Sequence, residues 1–290
     1  MKIKTDAYRV GENKKVDLSK FATRAPKPVY TSKESYQTLL QKQVNELCAL
    51  QELLYAANRH ALLIVFQAMD AAGKDGAIKH VLSGINPQGV QVFSFKQPST
   101  MELSHDFLWR TNNCLPERGR IGIFNRSYYE EVLVVKVHPE YLHAQNLPAE
   151  NADPKKIWRD RYRSINDMEA HLTRSGTRVV KFFLHLSKDE QRERFVARID
   201  APEKNWKFNA GDIAERKHWK AYMTAYEECL AATSTDAAPW YVIPADDKQN
   251  ARLLITEVIT DTLKSLNMAY PELTETEKAE LAALRAGLAK

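Results

Sequence analysis

ALLIVFQAMDAAGKDG, residues 61–76, joins an apolar segment to a loop rich in glycine and charge, and this stretch decides the fold. The first part, 61–69, is apolar almost throughout, which is typical of a strand buried on both faces of a sheet. AIKHVLSGI, 77–85, reads as a helix that ends near a turn-forming Asn-Pro pair. A strand, a glycine-rich loop and a helix in this order are the context of a phosphate-binding P-loop.

The loop offers two kinds of group that bind phosphate, backbone N–H groups and a charged side chain. In a P-loop, successive N–H groups and the helix N-terminus surround phosphate oxygens, while a lysine reaches the terminal phosphates. Lys74 is the candidate cation, and glycines beside it permit a close backbone approach. The candidate phosphate-binding positions of the loop backbone are Ala71, Ala72, Gly73, Asp75 and Gly76.

The loop departs from the pattern G-x-x-x-x-G-K-[ST] at two positions. Ala68 stands where the first glycine is expected, and Asp75 stands where a Ser or Thr binds Mg²⁺. A missing hydroxyl needs a replacement ligand, and the carboxylate of Asp70 inside the loop suits Mg²⁺. The alternative is a glycine-rich turn that begins a helix, with Lys74 solvated. The strand, the helix and Asp70 together favour phosphate binding.

Four further apolar strands are expected downstream, at 90–95, 120–127, 177–187 and 239–246. Helical patterns separate them, and an amphipathic helix at 32–58 precedes the first strand. Apolar strands that alternate with helices indicate a parallel sheet covered on both faces. The predicted fold class is therefore α/β, with a doubly wound, five-stranded parallel sheet.

The chain of 290 residues, 44% of them hydrophobic, is long enough for one large domain. We expect a tail over 1–30 that either packs on the domain or is mobile, a single P-loop domain over 31–268, and a helical extension over 269–290. The Leu and Ala stripe of the last helix offers a surface for a partner subunit. A homo-oligomer, either a dimer or a tetramer, is therefore expected.

Composition and charge narrow the classes of protein. Lys plus Arg number 42 against 37 Asp plus Glu, a formal charge of +5 that permits a polyanionic partner without requiring one. Three widely spaced cysteines with no CxxC spacing argue against a disulfide framework and a zinc site. No apolar run reaches the roughly 20 residues of a membrane helix, and the N-terminus has no apolar leader. We expect a cytoplasmic protein without a membrane partner.

IFNRSYYEE, 123–131, follows the third predicted strand at the carboxyl edge of the sheet, where ligands bind in open α/β folds. Arg126 offers a planar guanidinium for phosphate. The carboxylates of Glu130 and Glu131 could hold Mg²⁺ directly or through water. The alternative is an ordinary capped helix start with Arg126 in a surface ion pair. The position of Arg126 directly after a buried strand favours a functional role.

A charged stretch at about 188–231 lies between the fourth and fifth predicted strands, where nucleotide kinases have a closing lid. Most such charge runs are solvated helix faces. Arg194 and Arg198 are four residues apart and share a helix face. Because a lid with several cations would enclose a phosphate chain and exclude water, both arginines are candidate phosphate contacts.

These segments together resemble the polyphosphate kinase 2 family. The resemblance runs from about Leu53 to Asp246 and is carried, in the expected order, by QELLYA, AMDAAGKDG, FNRSYYEEVLVVKV, KFFLHLSKDEQRER and PWYVIPAD. It implies a thymidylate-kinase-like core with a helical lid, dependence on Mg²⁺ with Mn²⁺ as a possible substitute, and reversible phosphoryl transfer between polyphosphate and nucleotides.

The resemblance also implies roles for single residues. By position, Asp70 and Lys74 correspond to the family's P-loop acid and lysine, and Arg126 to the arginine after its third strand. Members that prefer nucleoside diphosphates tend to have Asp before that arginine. Asn125, followed by YYEEVLVV, resembles instead the group that acts on both mono- and diphosphates, AMP and ADP. A neutral Asn at this acceptor site should repel a monophosphate less than Asp would.

The expected function is therefore polyphosphate:nucleotide phosphotransfer catalysed by Asp70, Lys74 and Arg126. One alternative is an ATP-dependent nucleotide or small-molecule kinase that uses the same loop. The other is a non-catalytic module that binds polyanions. No aromatic-rich RNA-binding segment accompanies the basic residues, so no nucleic-acid partner is expected.

Overall fold

The structure, a computed structural model, describes residues 3–289, apart from the side chains of Lys204 and Lys207. Its centre is a sheet of five strands, which are β1 Ala61–Ala68, β2 Val90–Ser94, β3 Ile121–Asn125, β4 Thr177–His185 and β5 Trp240–Pro244. Their order across the sheet is β2-β3-β1-β4-β5, and every neighbouring pair is parallel. The predicted α/β class and the five-stranded parallel sheet are confirmed.

Helices surround this sheet. They are α1 Lys33–Ala57, α2 Lys74–Val81, α3 Thr100–Leu103, α4 Trp109–Asn112, α5 Val134–Val137, α6 Ile157–Arg174, α7 Lys188–Ile199, α8 Ala210–Glu215, α9 Trp219–Thr233, α10 Lys248–Lys264 and α11 Glu275–Leu288. Short 3-10 helices occur between them, including Tyr128–Val132 after β3 and Pro202–Lys207 after α7.

The central strand β1 divides the core into two halves. Leu62, Ile64 and Phe66 pack with α1, α2 and α10 on one face. Leu63 and Val65 pack with α6 and α9 on the other face. Successive side chains of a strand point to opposite faces of the sheet. Because both faces of β1 are buried, the side chains on both faces must be apolar. This is why the strand reads as continuous hydrophobic sequence.

The helical pattern at 101–113 gives two short helices, α3 and α4, rather than one. Between them the Asp106 side chain accepts a hydrogen bond from the backbone N–H of Leu108 at 2.9 Å, and its carbonyl accepts from Trp109 at 3.0 Å. A short polar side chain that bonds to nearby backbone competes with the helical ladder. The break is therefore a local effect of Asp106.

The N-terminal segment 3–30 lies against the domain. Its apolar side chains Val10, Val16 and Leu18 are buried. The N–H of Val10 donates to the carbonyl of Trp240 on β5 at 2.9 Å. Of the two alternatives drawn from the sequence, packing and mobility, the structure has the packed one.

The predicted lid, 188–231, is helical but its two ends belong to the core. α7 buries Gln191 and Phe195, and α9 buries a row of side chains that includes Tyr226. Between them, none of the described side chains of 202–218 is buried. The segment thus has buried side chains in α7 and α9, and none among those described at 202–218 between them.

The C-terminal helix α11 is exposed at every residue, and Leu281, Leu284 and Leu288 have exposed fractions of 52%, 64% and 89%. Its apolar stripe is the feature from which a homo-oligomer is predicted, and this oligomer stays a prediction. Within residues 3–289, no helix combines the length and the hydropathy needed to cross a membrane.

Candidate active site

The P-loop turns sharply at the carboxyl end of β1. Gly73 has φ +101° and Ala71 has φ +61°, both in the left-handed region, and the N–H of Ala72 donates to the carbonyl of Met69 at 3.3 Å. Glycine adopts this conformation freely, whereas for a residue with Cβ it costs roughly 1–2 kcal/mol. The loop therefore stores strain at Ala71, a feature that clusters at ligand-binding sites.

α2 begins at Lys74, three residues before the helix predicted at 77–85, so Lys74, Asp75 and Gly76 form its first turn. Within the described part of the chain, no side chain caps this helix, whereas Ser32 caps α1. The N–H groups of a first helical turn have no acceptor inside the helix. They are consequently available to an anion such as phosphate.

Lys74 is buried beneath the loop, with an exposed fraction of 9%. Its Nζ donates to the carbonyl of Ala68 at 3.0 Å. Burial, and after it the charge of Arg126, lowers the pKa of Lys74, while Asp70 and Glu130 act in the opposite direction. Because an anion beside a desolvated ammonium favours its charged form, bound phosphate and protonated Lys74 would stabilise each other.

Arg126 stands directly after β3, and its N–H continues the ladder by donating to the carbonyl of Phe66 on β1 at 3.0 Å. Its φ of +65° is left-handed, a second strained backbone position at the same edge of the sheet. The guanidinium donates to Asp70 Oδ1 at 2.8 Å and to Glu130 Oε2 at 3.4 Å. Glu130 first, and then Asp70, raises the pKa of Arg126, so it stays protonated. Its side chain remains 40% exposed, which leaves donors for a ligand.

A buried polar network fixes the segment that follows Arg126. Lys181 of β4 donates to Glu169 Oε2 at 2.5 Å, to the Tyr129 hydroxyl at 3.0 Å and to the carbonyl of Thr233 at 2.7 Å. The hydroxyls of Tyr128 and Tyr129 both donate to Glu169 Oε1 at 2.8 Å. A buried pair of charges persists only with such additional hydrogen bonds. In the sequence, the only signal of this network is the single lysine inside the apolar segment VVKFF.

Two carboxylates meet at Arg126 and fit a Mg²⁺ ion. Asp70 and Glu130 both contact the same guanidinium, and both side chains are partly exposed, at 23% and 18%. Among the described residues, no group of three or more His, Cys, Asp and Glu side chains could hold a metal. Mg²⁺ is usually bound by one or two carboxylates together with phosphates and water. This donor set suits an ion that arrives with the phosphate substrate.

Glu131 lies apart from Asp70 and Glu130, so its contacts do not favour the predicted metal role, which stays a prediction. Its carboxylate accepts from Arg161 at 3.1 Å and from Gln145 at 2.7 Å, and the residue is 7% exposed. Burial raises the pKa of Glu131. The segment is a 3-10 helix with three residues per turn, so neighbouring side chains point about 120° apart. Glu130 and Glu131 therefore face different parts of the molecule.

Arg194 lies behind the P-loop rather than in an open groove. One of its terminal nitrogens donates to the carbonyls of Ala71 at 3.1 Å and Ala72 at 2.8 Å, and the other to Ala245 at 2.7 Å. Its Nε donates to Glu190 at 2.9 Å, and the side chain is 8% exposed. The guanidinium joins the loop to the segment after β5, which suits a positioning role, and the predicted phosphate contact of Arg194 stays a prediction.

We expect Arg194→Lys to lower stability and to lower turnover equally with every nucleotide. A single ammonium cannot replace the planar fork, and carbonyls left without donors cost about 1–3 kcal/mol. The melting temperature should fall by several degrees. Arg192→Lys, on the same helix but with a 62% exposed side chain, is the control that should show neither change. A variant with unchanged melting temperature and a raised KM for polyphosphate alone would restore the groove assignment.

The lid supplies an acid that the sequence did not single out. Arg198 lies 3.7 Å from Asp212 Oδ2, which joins α7 to α8. Burial, and then the charge of Asp70, raises the pKa of Asp212, while Arg198 and Arg126 lower it. Asp212 is therefore within electrostatic range of the loop and of Arg126. Its sequence context, one acid in a mixed charge run, carried no signal.

Asn125, the last residue of β3, faces the P-loop. Its Nδ2 donates to Asp75 Oδ1 at 2.7 Å and approaches Ser94 Oγ of β2 at 3.4 Å. The amide thus joins the first turn of α2 to the end of two strands. Asp75, predicted only as a backbone contact to phosphate, also contributes its side chain here.

Cations, an uncapped helix start and paired carboxylates thus converge at the carboxyl edge of β1 and β3. The sequence profile of the family described as Polyphosphate kinase 2 matches residues 30–271, which include all five strands and both site segments. The chain belongs to the polyphosphate kinase 2 family.

Three related proteins each cover 91% or more of the chain. An ADP-polyphosphate phosphotransferase of Rhodopseudomonas palustris is 62% identical over 290 residues, all of both chains. An AMP/ADP-polyphosphate phosphotransferase of Meiothermus ruber is 43% identical over 265 residues, 91% of this chain and 95% of the relative. The crystal structure of Polyphosphate Kinase 2 from Arthrobacter aurescens TC1 is 38% identical, covers 97% of this chain and 96% of its own, and superposes with a TM-score of 0.86. The predicted family, fold and phosphotransferase class are confirmed.

Proposed function

We propose that this polyphosphate kinase 2 protein transfers phosphoryl groups reversibly between polyphosphate and nucleotides, with AMP and ADP as acceptors and Mg²⁺ as cofactor. The convergence of Lys74, Arg126 and Asp70 beside the first turn of α2 carries the proposal. The relatives named for ADP and for AMP/ADP support the two acceptors.

Phosphoryl transfer needs positioning and charge neutralisation more than covalent help. The N–H groups of the P-loop and the first turn of α2 bind the terminal phosphates of the chain, and Lys74 and Arg126 neutralise their oxygens. The terminal oxygen of the acceptor attacks the terminal phosphorus in line, and the bond to the shortened polyphosphate breaks. Since that oxygen is already anionic, no general base is required.

Mg²⁺, when bound, neutralises charge on the donor and acceptor phosphates and orients their oxygens. Asp70 and Glu130 would hold it. Asp70 also accepts from Arg126, so its orientation is set before the substrate binds. Mn²⁺ is a possible substitute because it too binds oxygen ligands.

Arg198 is the lid cation that we expect to contact polyphosphate. Arg198→Gln should raise the KM for polyphosphate several-fold and change the KM for nucleotide much less, because a long chain reaches the lid whereas a nucleotide ends at the loop. Steady-state kinetics at low salt measure both constants. Arg192→Gln is the charge-matched control on the same helix. Equal KM values for wild type and Arg198→Gln would place the chain elsewhere.

The function is tested by product separation after incubation with Mg²⁺, polyphosphate and each nucleoside mono- or diphosphate. Formation of ADP from AMP and of ATP from ADP, abolished by a chelator, is the expected result. Parallel reactions replace polyphosphate with ATP as the donor. Transfer from ATP alone would favour the ATP-dependent kinase, and binding without turnover would favour the polyanion-binding module.

A further inference from the structure

The Asn125 side chain is hydrogen-bonded to a charged group, so the two residues act together on any ligand nearby. Its amide donates to the Asp75 carboxylate at 2.7 Å. Asp75 is exposed, follows Lys74 directly, and adds to the charges that raise the lysine's pKa. Any ligand that approaches Asn125 therefore also experiences the negative charge of Asp75.

The Asp75–Asn125 pair lies towards the β2 edge of the sheet, whereas the lid lies towards the β5 edge. The Asn125 amide reaches Ser94 of β2, at one edge of the order β2-β3-β1-β4-β5. The lid connects β4 and β5 at the other side of β1. In the proposed function polyphosphate extends from the loop towards the lid, which leaves the β2 and β3 side to the acceptor nucleotide. It then passes the Asp75–Asn125 pair.

We propose that the summed charge of residues 75 and 125, rather than residue 125 alone, determines the discrimination between AMP and ADP. This inference rests on the proposed function. The two side chains are in contact at 2.7 Å, so a phosphate that approaches the pair is exposed to the charge of both residues. Since Coulomb energy depends on charge and distance, moving one negative charge between these positions should change little, whereas adding or removing one should change much.

AMP is the more sensitive acceptor. It has one phosphate, so repulsion near that phosphate acts on its whole anionic contact with the site. ADP has a second phosphate that adds contacts of its own, so the same repulsion removes a smaller share of its binding. The charge of the pair should therefore change the ratio of catalytic efficiencies for AMP and ADP, and not only the overall rate.

Four proteins form a series of pair charge at pH 8. The summed charge of residues 75 and 125 is about −2 in Asn125→Asp and about 0 in Asp75→Asn. It is about −1 in the wild type and in the double variant Asp75→Asn/Asn125→Asp, in which the two side chains are exchanged. The double variant also keeps an amide opposite a carboxylate. We expect the AMP-to-ADP efficiency ratio to fall about tenfold in Asn125→Asp, to stay within about twofold of wild type in the double variant, and to rise in Asp75→Asn.

The measurement is kcat/KM for AMP and for ADP with the same polyphosphate, and the ratio cancels a general loss of activity. Asp189→Asn, which removes one charge from an 83% exposed side chain on α7, is the control and should leave the ratio unchanged. A double variant that behaves like Asn125→Asp would overturn the inference, because residue 125 would then act by itself. A ratio that follows the pair charge supports it.

The two proposals fail differently. A wild type that phosphorylates neither AMP nor ADP from polyphosphate overturns the proposed function, and one that uses ADP alone overturns only the proposed AMP acceptor. In either case the four proteins are compared by their dissociation constants for AMP and ADP, measured by calorimetry without polyphosphate. An AMP-to-ADP affinity ratio that follows the pair charge still supports the inference, and a flat series overturns it.

Discussion

Lys74→Ala is expected to lower phosphoryl transfer from polyphosphate by a factor on the order of 10²–10³, the loss typical when one donor to developing charge is removed. The ammonium sits beneath the loop, where burial already lowers its pKa. Because the site is poorly solvated, water screens the lysine charge only weakly, and its attraction to a phosphate oxygen is correspondingly strong. Initial rates at saturating polyphosphate and nucleotide measure the effect.

The control for this prediction is Lys79→Ala, which removes the same charge from an exposed position of α2. It should retain nearly the wild-type rate. Thermal unfolding of both variants separates lost catalysis from lost folding. We expect Lys74→Ala to unfold close to wild type, since among the described residues its Nζ donates a hydrogen bond to the Ala68 carbonyl alone. If Lys74→Ala kept more than about a tenth of the rate, a loss under 1.4 kcal/mol, the assigned role would be wrong.

Asp70→Asn is expected to reduce turnover about a hundredfold at ordinary Mg²⁺ concentration, by analogy with the loss of other charge-stabilising groups. The amide keeps the shape of the side chain but is a weaker ligand for a hard cation. It also removes one of the two carboxylates that hold Arg126. Titration of Mg²⁺ should show a higher half-saturating concentration and only partial recovery in excess.

Glu131→Gln is the informative comparison for Asp70→Asn. Its carboxylate pairs with Arg161 and is buried away from the site, so the Mg²⁺ concentration at half-saturation should stay at the wild-type value. Stability should fall instead, by about 3–5 kcal/mol, because a buried arginine would lose its charged partner. An Asp70→Asn enzyme with the wild-type Mg²⁺ dependence would exclude Asp70 as a ligand.

The sequence by itself determined the fold class, the P-loop and the edge of the sheet at which the site lies. These follow from local patterns. Continuous apolar runs mark strands buried on both faces, and Lys74 and Arg126 each follow such a strand within a few residues. Parallel strands end at the same edge, so residues that follow them must come close together.

Only the tertiary structure decided which side chains share that edge. Asn125 bonds to Asp75, 50 residues earlier, and Arg194 to Ala71, 123 residues earlier. Glu131 turns away although its neighbour Glu130 contacts Arg126. A sequence pattern gives the face of a regular strand or helix, but not the direction of a side chain in a 3-10 turn or its partner across the fold. Those depend on how the elements pack, and small rotations of the backbone exchange one partner for another.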